Sequence, residues 1–250
     1  MLAVFAKEVA PFPELDNSLN LYTEESVSAM EQGLAKHYTS VIPNSFLIDL
    51  QPYCMLATTV DQKNSIIPRF FQAKDDIFCI LRGTVENKDD LDALFEFNKD
   101  NDQITMFMEA YKSQRGSETH VEKEQREHHW LRLIRAVKGK FSIVLFDNLN
   151  KTLFAATDRD AHLLLYWGID VKGDLVLTMD AKMAKLGCHK AYGSFPKGCY
   201  ISTADGLKTF DNKNKEINMK EAVDSEGKSY MKVIVSGASS QGSTDSTARD

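Results

Sequence analysis

The sequence MLAVF at residues 1–5 is an apolar run that ends before a charged and proline-containing segment. A short, uninterrupted apolar run of this kind is typical of a strand that is buried on both faces. We therefore predict a central strand at residues 1–5, with the N-terminus forming part of the core.

Further β-rich runs extend along the chain between turn residues, in two groups that are separated by helical patterns. The first group is predicted at residues 45–50, 54–60, 66–71 and 77–81. The second begins after Gly139 and is predicted to form a meander, with strands at 140–146, 152–156, 163–167 and 174–177, followed by 197–203, 207–210 and 230–235.

Amphipathic spacing predicts helices that start at residue 23 and that span residues 89–97, 103–111 and 118–137. Two groups of strands with helices between and outside them favour an α+β protein whose antiparallel sheets are covered by helices on their outer faces. Residues 1–235 are predicted to form one domain. Residues 236–250 are rich in Ser, Thr and Gly, and we expect a disordered tail there.

The composition narrows the classes of partner. The chain has 250 residues, 43% of them hydrophobic, and a net charge of -6 without a basic block. This balance argues against nucleic acid or an anionic membrane as the partner, and no apolar stretch reaches the roughly 20 residues of a membrane span. A small molecule or a protein is the expected partner, and a homo-oligomer remains open. The four cysteines lack C-x-x-C spacing, which predicts reduced thiols and a cytoplasmic location.

Several segments resemble the plant aluminium-induced and stem-specific protein family, which is named for its YGL and LRDR motifs and is similar to class II glutamine amidotransferases. The matching segments keep their order over most of residues 1–235: MLAVF at 1–5, IPRFF at 67–71, DDIFCILRGTVEN at 75–87, MEAY at 108–111, GKFSIVLFD at 139–147, YWG at 166–168, GDLVLTMDAKMAKLGC at 173–188 and FPKGCY at 195–200. The second half also resembles the glutaminase domain of asparagine synthetase. The resemblance implies a four-layer αββα sandwich of the N-terminal-nucleophile (Ntn) hydrolase type.

The chain departs from the family at both naming motifs. Phe95-Glu96-Phe97 stands where the family shows YGL, and residues 114–117, QRGS, stand where it shows LRDR. The segment 117–137 is also longer than usual. The resemblance therefore indicates a divergent member.

The resemblance also implies where an active site would lie. Class II glutaminases use an N-terminal cysteine thiolate as nucleophile and its α-amino group as base. Residue 2 here is Leu2, which has no nucleophilic atom, so we expect no catalytic residue and no glutaminase activity. An Asn-Gly pair builds the oxyanion hole in active relatives, and Arg82-Gly83 occupies that place here. Arg82 is predicted either to bind an anion in the vestigial pocket, or to form a plain salt bridge or lie exposed to solvent.

The other candidate residues have a structural alternative. By the resemblance, Asp102 aligns near the position of the acidic residue that holds the substrate's α-amino group in glutaminases. It is also a natural N-cap for the helix that follows. Arg69 is a candidate for a carboxylate clamp. His120, His128 and His129 are metal candidates, because positions eight apart return to about the same helix face, but charged neighbours indicate a solvated face and no metal site. Residues 157–162 are expected to form surface ion pairs. Tyr53, Cys54 and Cys79 are further polar or reactive candidates in the pocket.

The sequence thus predicts a vestigial ligand pocket that contains Leu2, Arg82, Gly83 and Asp102. We expect it to bind no cofactor and no metal. The leading hypothesis is a catalytically inactive glutamine-amidotransferase-like binding protein, linked to plant stress or development. The alternative is an enzyme of new specificity that is built in the same pocket. A purely structural interaction module is a third hypothesis.

Overall fold

The computed structural model describes residues 1–10, 33–59, 70–113, 129–188, 191–210, 216–223 and 229–236, and it describes residue 129 and the last two ranges by their backbone. Two six-stranded antiparallel sheets dominate it. Sheet A has the order β10-β8-β9-β1-β3-β2 and contains β1 (Leu2–Phe5), β2 (Ser45–Leu50), β3 (Cys54–Thr59), β8 (Tyr166–Ile169), β9 (Leu175–Thr178) and β10 (Tyr192–Ser194).

Sheet B has the order β12-β11-β7-β6-β5-β4. Its strands are β4 (Phe71–Lys74), β5 (Ile77–Val85), β6 (Gly139–Asp147), β7 (Thr152–Thr157), β11 (Cys199–Ser202) and β12 (Gly206–Thr209). A separate two-stranded ribbon pairs β13 (Glu216–Val223) with β14 (Ser229–Ser236).

The faces of the two sheets that point toward each other share one apolar core. It contains Phe5 and Leu56 from sheet A together with Ile80, Val144 and Phe146 from sheet B. Burial of each such side chain stabilises the fold by about 1.5–3 kcal/mol relative to exposure. We call the space between the sheets the inter-sheet core.

Helices cover the two outer faces. On sheet A, α1 (Leu34–Val41) and α5 (Ala181–Cys188) pack over the residues of β1 whose side chains point outward. On sheet B, α2 (Lys88–Phe95), α3 (Gln103–Lys112) and α4 (His129–Ala136) share an apolar cluster with the outward side chains of β5 and β6. The layers are therefore helix, sheet, sheet, helix, and the predicted α+β, four-layer αββα sandwich is confirmed.

The N-terminal strand has the predicted place. β1 lies between β3 and β9, and all four of its residues are buried. Ala3 and Phe5 point into the inter-sheet core, whereas Leu2 and Val4 point toward α1 and α5. Both faces are dry, which is why the sequence shows a continuous apolar run rather than alternation.

The predicted meander is wrong. β6 and β7 form a hairpin in sheet B, whereas β8 and β9 form a hairpin in sheet A, so the chain crosses between the sheets after β7. The strand predicted at 163–167 starts instead at Tyr166, because Leu164 is 57% exposed and the run of three leucines belongs to the connection. β10 and β13 were not predicted.

Some predicted elements lie wholly or partly outside the described residues. The helix predicted over residues 23–35 is described only from Gly33, which is not helical and has a φ of +80°, so α1 begins at Leu34 and the prediction of one helix through residue 33 is wrong. The helix predicted at 118–137 is described only over His129–Ala136. Most of the strand predicted at 66–71 falls outside as well, and β4 begins at Phe71. Of the tail predicted at 236–250, Ser236 ends β14 and residues 237–250 are not described.

Candidate functional site

Three polar residues form a row across one end of sheet B. Arg82 of β5 pairs with Ser142 of β6, and Ser142 pairs with Thr157 of β7. Side chains two apart along a strand share a face, and the neighbours Ile80, Val144 and Ala155 all lie in the inter-sheet core. Arg82, Ser142 and Thr157 therefore face the space between the sheets, and we call them the polar row.

Arg82 links the two sheets. Its Nη2 donates hydrogen bonds to Thr58 Oγ1 at 2.6 Å and Thr59 Oγ1 at 2.8 Å, both on β3 of sheet A. Its Cζ lies 4.3 Å from the centre of the Phe70 ring. Arg82 is half-buried, and its guanidinium reaches the facing sheet. Anion binding and a plain salt bridge both stay predictions for this residue.

The N-terminal amine lies in the same region. The Met1 amine donates to Tyr38 Oη at 2.8 Å, and the Met1 carbonyl accepts from Thr178 Oγ1 at 3.1 Å. Burial, and then the positive charge of Arg82, lower the pKa of this amine from 8.0 to about 5, against an opposing effect of Asp180. A pKa this far below 8.0 favours the uncharged form of the amine at pH 7.

Leu2 points away from Arg82. Its side chain is fully buried among Leu34, Tyr38 and Val176, on the helix-covered face of sheet A. The structure thus brings the backbone at the start of β1 and Arg82 to the same end of the sandwich but does not direct the side chain of residue 2 into the inter-sheet space.

Gly83 has a backbone reason for being glycine. Its φ is +97°, and a Cβ would lie 1.9 Å from the carbonyl oxygen of Lys140 on the neighbouring strand. β5 and β6 approach each other closely here, which only a residue without a side chain permits.

Asp102 is the N-cap of α3. Its Oδ1 accepts a hydrogen bond from the Thr105 backbone N–H at 2.8 Å, which confirms the capping interpretation. Since α3 covers the outer face of sheet B, Asp102 and Arg82 lie on opposite sides of that sheet. The structure does not bring these two predicted pocket residues together.

The segment after β7 differs from its predicted role. Asp158 is 4% exposed, and its carboxylate accepts bonds from the backbone N–H groups of Phe141, Asp160 and His162 and lies 2.8 Å from His162 Nδ1. The prediction of surface ion pairs in 157–162 is therefore wrong for Asp158, because this carboxylate closes a turn at the end of the polar row.

The remaining candidates have no reactive geometry. Cys54 and Cys79 are buried thiols whose pKa is raised by burial, so neither is a thiolate at neutral pH. Tyr53 packs under Lys151, whose Nζ lies 4.2 Å from the ring centre. All four cysteines are free thiols. Arg69, His120 and His128 lie outside the described residues, as does the side chain of His129.

Within the described ranges, no cluster of three His, Cys, Asp or Glu side chains could hold a metal ion. The same ranges contain no helix that is long and apolar enough to cross a membrane.

Sequence reasoning missed Tyr38, Thr58, Ser142 and Thr157. A usable signal was present for Ser142, because GKFSIVLFD places a hydroxyl at a strand position that shares its face with Val144 and Phe146.

Comparisons with solved structures return matches at low sequence identity. A glutamine phosphoribosylpyrophosphate amidotransferase from B. subtilis, complexed with ADP and GMP, is 13% identical with a TM-score of 0.45, over 65% of this chain and 36% of that chain. An allosteric regulatory enzyme of purine biosynthesis is 14% identical with a TM-score of 0.42, over 60% of this chain and 32% of that one.

A glutamine aminotransferase class-II domain protein from Silicibacter pomeroyi is 15% identical with a TM-score of 0.35, over 55% of this chain and 68% of that chain. The chain thus covers about a third of the length of the first two proteins. No curated protein sequence matches the chain significantly.

The family comparison is more extensive. A family profile described as "Aluminium induced protein" matches residues 2–234, which include every strand from β1 to β13. The chain belongs to the aluminium-induced protein family.

Proposed function

We propose that this protein is a glutamine-amidotransferase-like scaffold without glutaminase activity, which acts by binding a small ligand or a protein partner. One observation carries the proposal: residue 2 is a leucine with a fully buried side chain that packs against the helical layer. A class II glutaminase needs a thiolate at this place to attack the side-chain amide of glutamine.

Arg82 supports the same conclusion. By the family resemblance, this position belongs to the oxyanion hole, where a neutral amide donor faces the developing negative charge. Here a guanidinium stands in that place, and two threonine hydroxyls on the facing sheet fix it. The site therefore retains a positively charged binding group, although it lacks the nucleophile.

The cellular setting is proposed from the family and from the cysteines. The family is named for induction by aluminium, which supports a role in plant stress or development. Four free, buried thiols fit a reducing compartment such as the cytoplasm.

An enzyme of new specificity is the second candidate, and one observation favours it. The Met1 amine is buried, and burial followed by the charge of Arg82 lowers its pKa to about 5, which favours the unprotonated form that a general base needs. Its hydrogen bond to Tyr38 holds it in place.

Ammonia release from glutamine by the purified protein tests the proposal. We expect the rate to equal that of a heat-denatured control. Glutamine-dependent release that Arg82→Met abolishes would refute the proposal, since it would show that a working glutaminase site includes this residue. A matched control is Arg132→Met, because Arg132 is an exposed arginine on α4.

A further inference from the structure

Two buried hydroxyl groups of the polar row have no hydrogen-bond partner. Ser142 and Thr157 are both fully buried, and neither Ser142 Oγ nor Thr157 Oγ1 bonds to any group that the structure describes, including each other. Buried polar atoms are almost always paired, because an unpaired one costs free energy. Two neighbouring exceptions at one place indicate a position where another molecule supplies the acceptors.

The geometry places these hydroxyls beside a positive charge. Ser142 lies between Arg82 and Thr157 in the strand register, and directly paired residues on antiparallel strands have Cβ atoms about 4.5–5.5 Å apart. Two O–H donors and a guanidinium therefore face one small region between the sheets. Thr58, which is also fully buried, accepts from Arg82 and fixes the guanidinium on the opposite side of this region.

The two hydroxyls and the guanidinium determine which chemical class of ligand fits between them. The positive charge of the Arg82 guanidinium disfavours a cation at this place. A group with at least two acceptor oxygens and a negative charge satisfies both hydroxyls and also interacts with the charge of Arg82. Arg82 is the half-buried member of the row, whereas Ser142 and Thr157 are fully buried.

We propose that the polar row, Arg82 with Ser142 and Thr157, binds a small oxyanion, a carboxylate or a phosphate, between the two sheets. This inference rests on the proposed function, since it names the ligand class of the same pocket. The bound oxyanion accepts one hydrogen bond from each of the two hydroxyls.

Thermal unfolding tests the site in sodium chloride, sodium acetate and sodium phosphate at equal ionic strength. For the wild type, we expect the melting temperature to rise by several degrees in at least one oxyanion relative to chloride. A rise in acetate alone identifies a carboxylate site, a rise in phosphate alone identifies a phosphate site, and calorimetric titration then gives the affinity.

The decisive variant is Ser142→Ala combined with Thr157→Val, which removes both unpaired hydroxyls at nearly constant volume. In chloride, we expect it to be at least as stable as the wild type, because it removes the unpaired buried donors. Its affinity for the oxyanion should fall at least tenfold. Ser202→Ala is the matched control, since Ser202 lies on β11 of the same sheet and bonds to Asp205. It should keep the full oxyanion effect.

Phosphate stabilises most proteins non-specifically, so the comparison between variants decides the outcome. An oxyanion effect that is equal in the wild type and the double variant would overturn the proposal, as would a wild type without any effect in acetate or phosphate. If the double variant does not fold, Arg82→Lys provides the second test, because it keeps the charge but loses the planar fork and should weaken acetate binding at least tenfold. If the protein binds no oxyanion and glutamine hydrolysis stays at background, this inference alone is refuted. If the protein hydrolyses glutamine, the proposed function is refuted.

Discussion

Replacing Arg82 by methionine tests whether the guanidinium holds the two sheets together. Methionine keeps much of the aliphatic volume but loses both hydrogen bonds to Thr58 and Thr59 and the contact with Phe70. Hydrogen bonds from a charged donor contribute about 1.5–3 kcal/mol each, and a cation–π contact at a partly exposed site adds about 0.5–1 kcal/mol.

The net loss is smaller than this sum, because the half-buried guanidinium no longer has to be desolvated and Thr59 regains contact with water. We therefore expect Arg82→Met to lower the free energy of unfolding by about 2–4 kcal/mol. Thr58 carries the largest part of this cost, because it is fully buried and loses the donor to its hydroxyl.

Urea unfolding, followed by tryptophan fluorescence, measures this change at constant m-value. Arg132→Met is the control, since its guanidinium is exposed and lies 5.9 Å from the Phe95 ring centre, and it should change stability by less than about 0.5 kcal/mol. Equal stability of Arg82→Met and Arg132→Met would refute the argument that Arg82 bridges the sheets.

Three further predictions follow from single features of the chain. Gly83→Ala should destabilise the protein by more than about 3 kcal/mol, because the new Cβ meets the Lys140 carbonyl. Gly206→Ala has nothing within 4 Å of its Cβ and should cost only about 1 kcal/mol for its positive φ. Equal melting temperatures of the two variants would contradict the argument from the Lys140 contact. Burial raises the pKa of Asp170 to about 6, so the stability contributed by its protonated form is fully present below pH 4 and is lost as the pH rises through 6. Asp170→Asn should therefore raise the free energy of unfolding by about 1–3 kcal/mol at pH 7 but not at pH 4. An increase of the same size at both pH values would exclude this cause. Truncation after Ser236 should leave the melting temperature unchanged within about 2 °C, because the removed sequence has too little apolar surface to offset its ordering entropy, and a larger drop would show that it docks.

The sequence was informative where burial is continuous or alternates regularly. MLAVF and GKFSIVLFD predict buried strands, and β1 and β6 lie at interior positions of the two sheets. Asp102 was predicted as a cap because local hydrogen bonding requires only the residues around it. These features depend on neighbours that are close in sequence.

The unpredicted features depend on distant partners. The split of the second strand group between two sheets is fixed by the pairing of β9 with β1, about 170–176 positions away along the chain, while β8 pairs with β9. No local pattern encodes that choice. The polar row assembles from three strands, and Ser142 and Thr157 each look like an ordinary strand residue in isolation. The outward orientation of Leu2 likewise follows from strand parity in the folded sheet and not from its chemical type.

The most direct test of the central claim is glutamine hydrolysis by the wild type and by Leu2→Cys, with release of ammonia and glutamate measured in parallel. The substitution supplies a thiol, but the side chain at this position points to the helical layer and Arg82 still replaces a neutral oxyanion donor, the loss of which costs about 100- to 1000-fold in turnover. We predict background rates for both proteins. Glutamine-dependent ammonia release by the wild type would contradict the claim that this scaffold is not a glutaminase, and release by Leu2→Cys alone would show that the nucleophile is all that the site lacks.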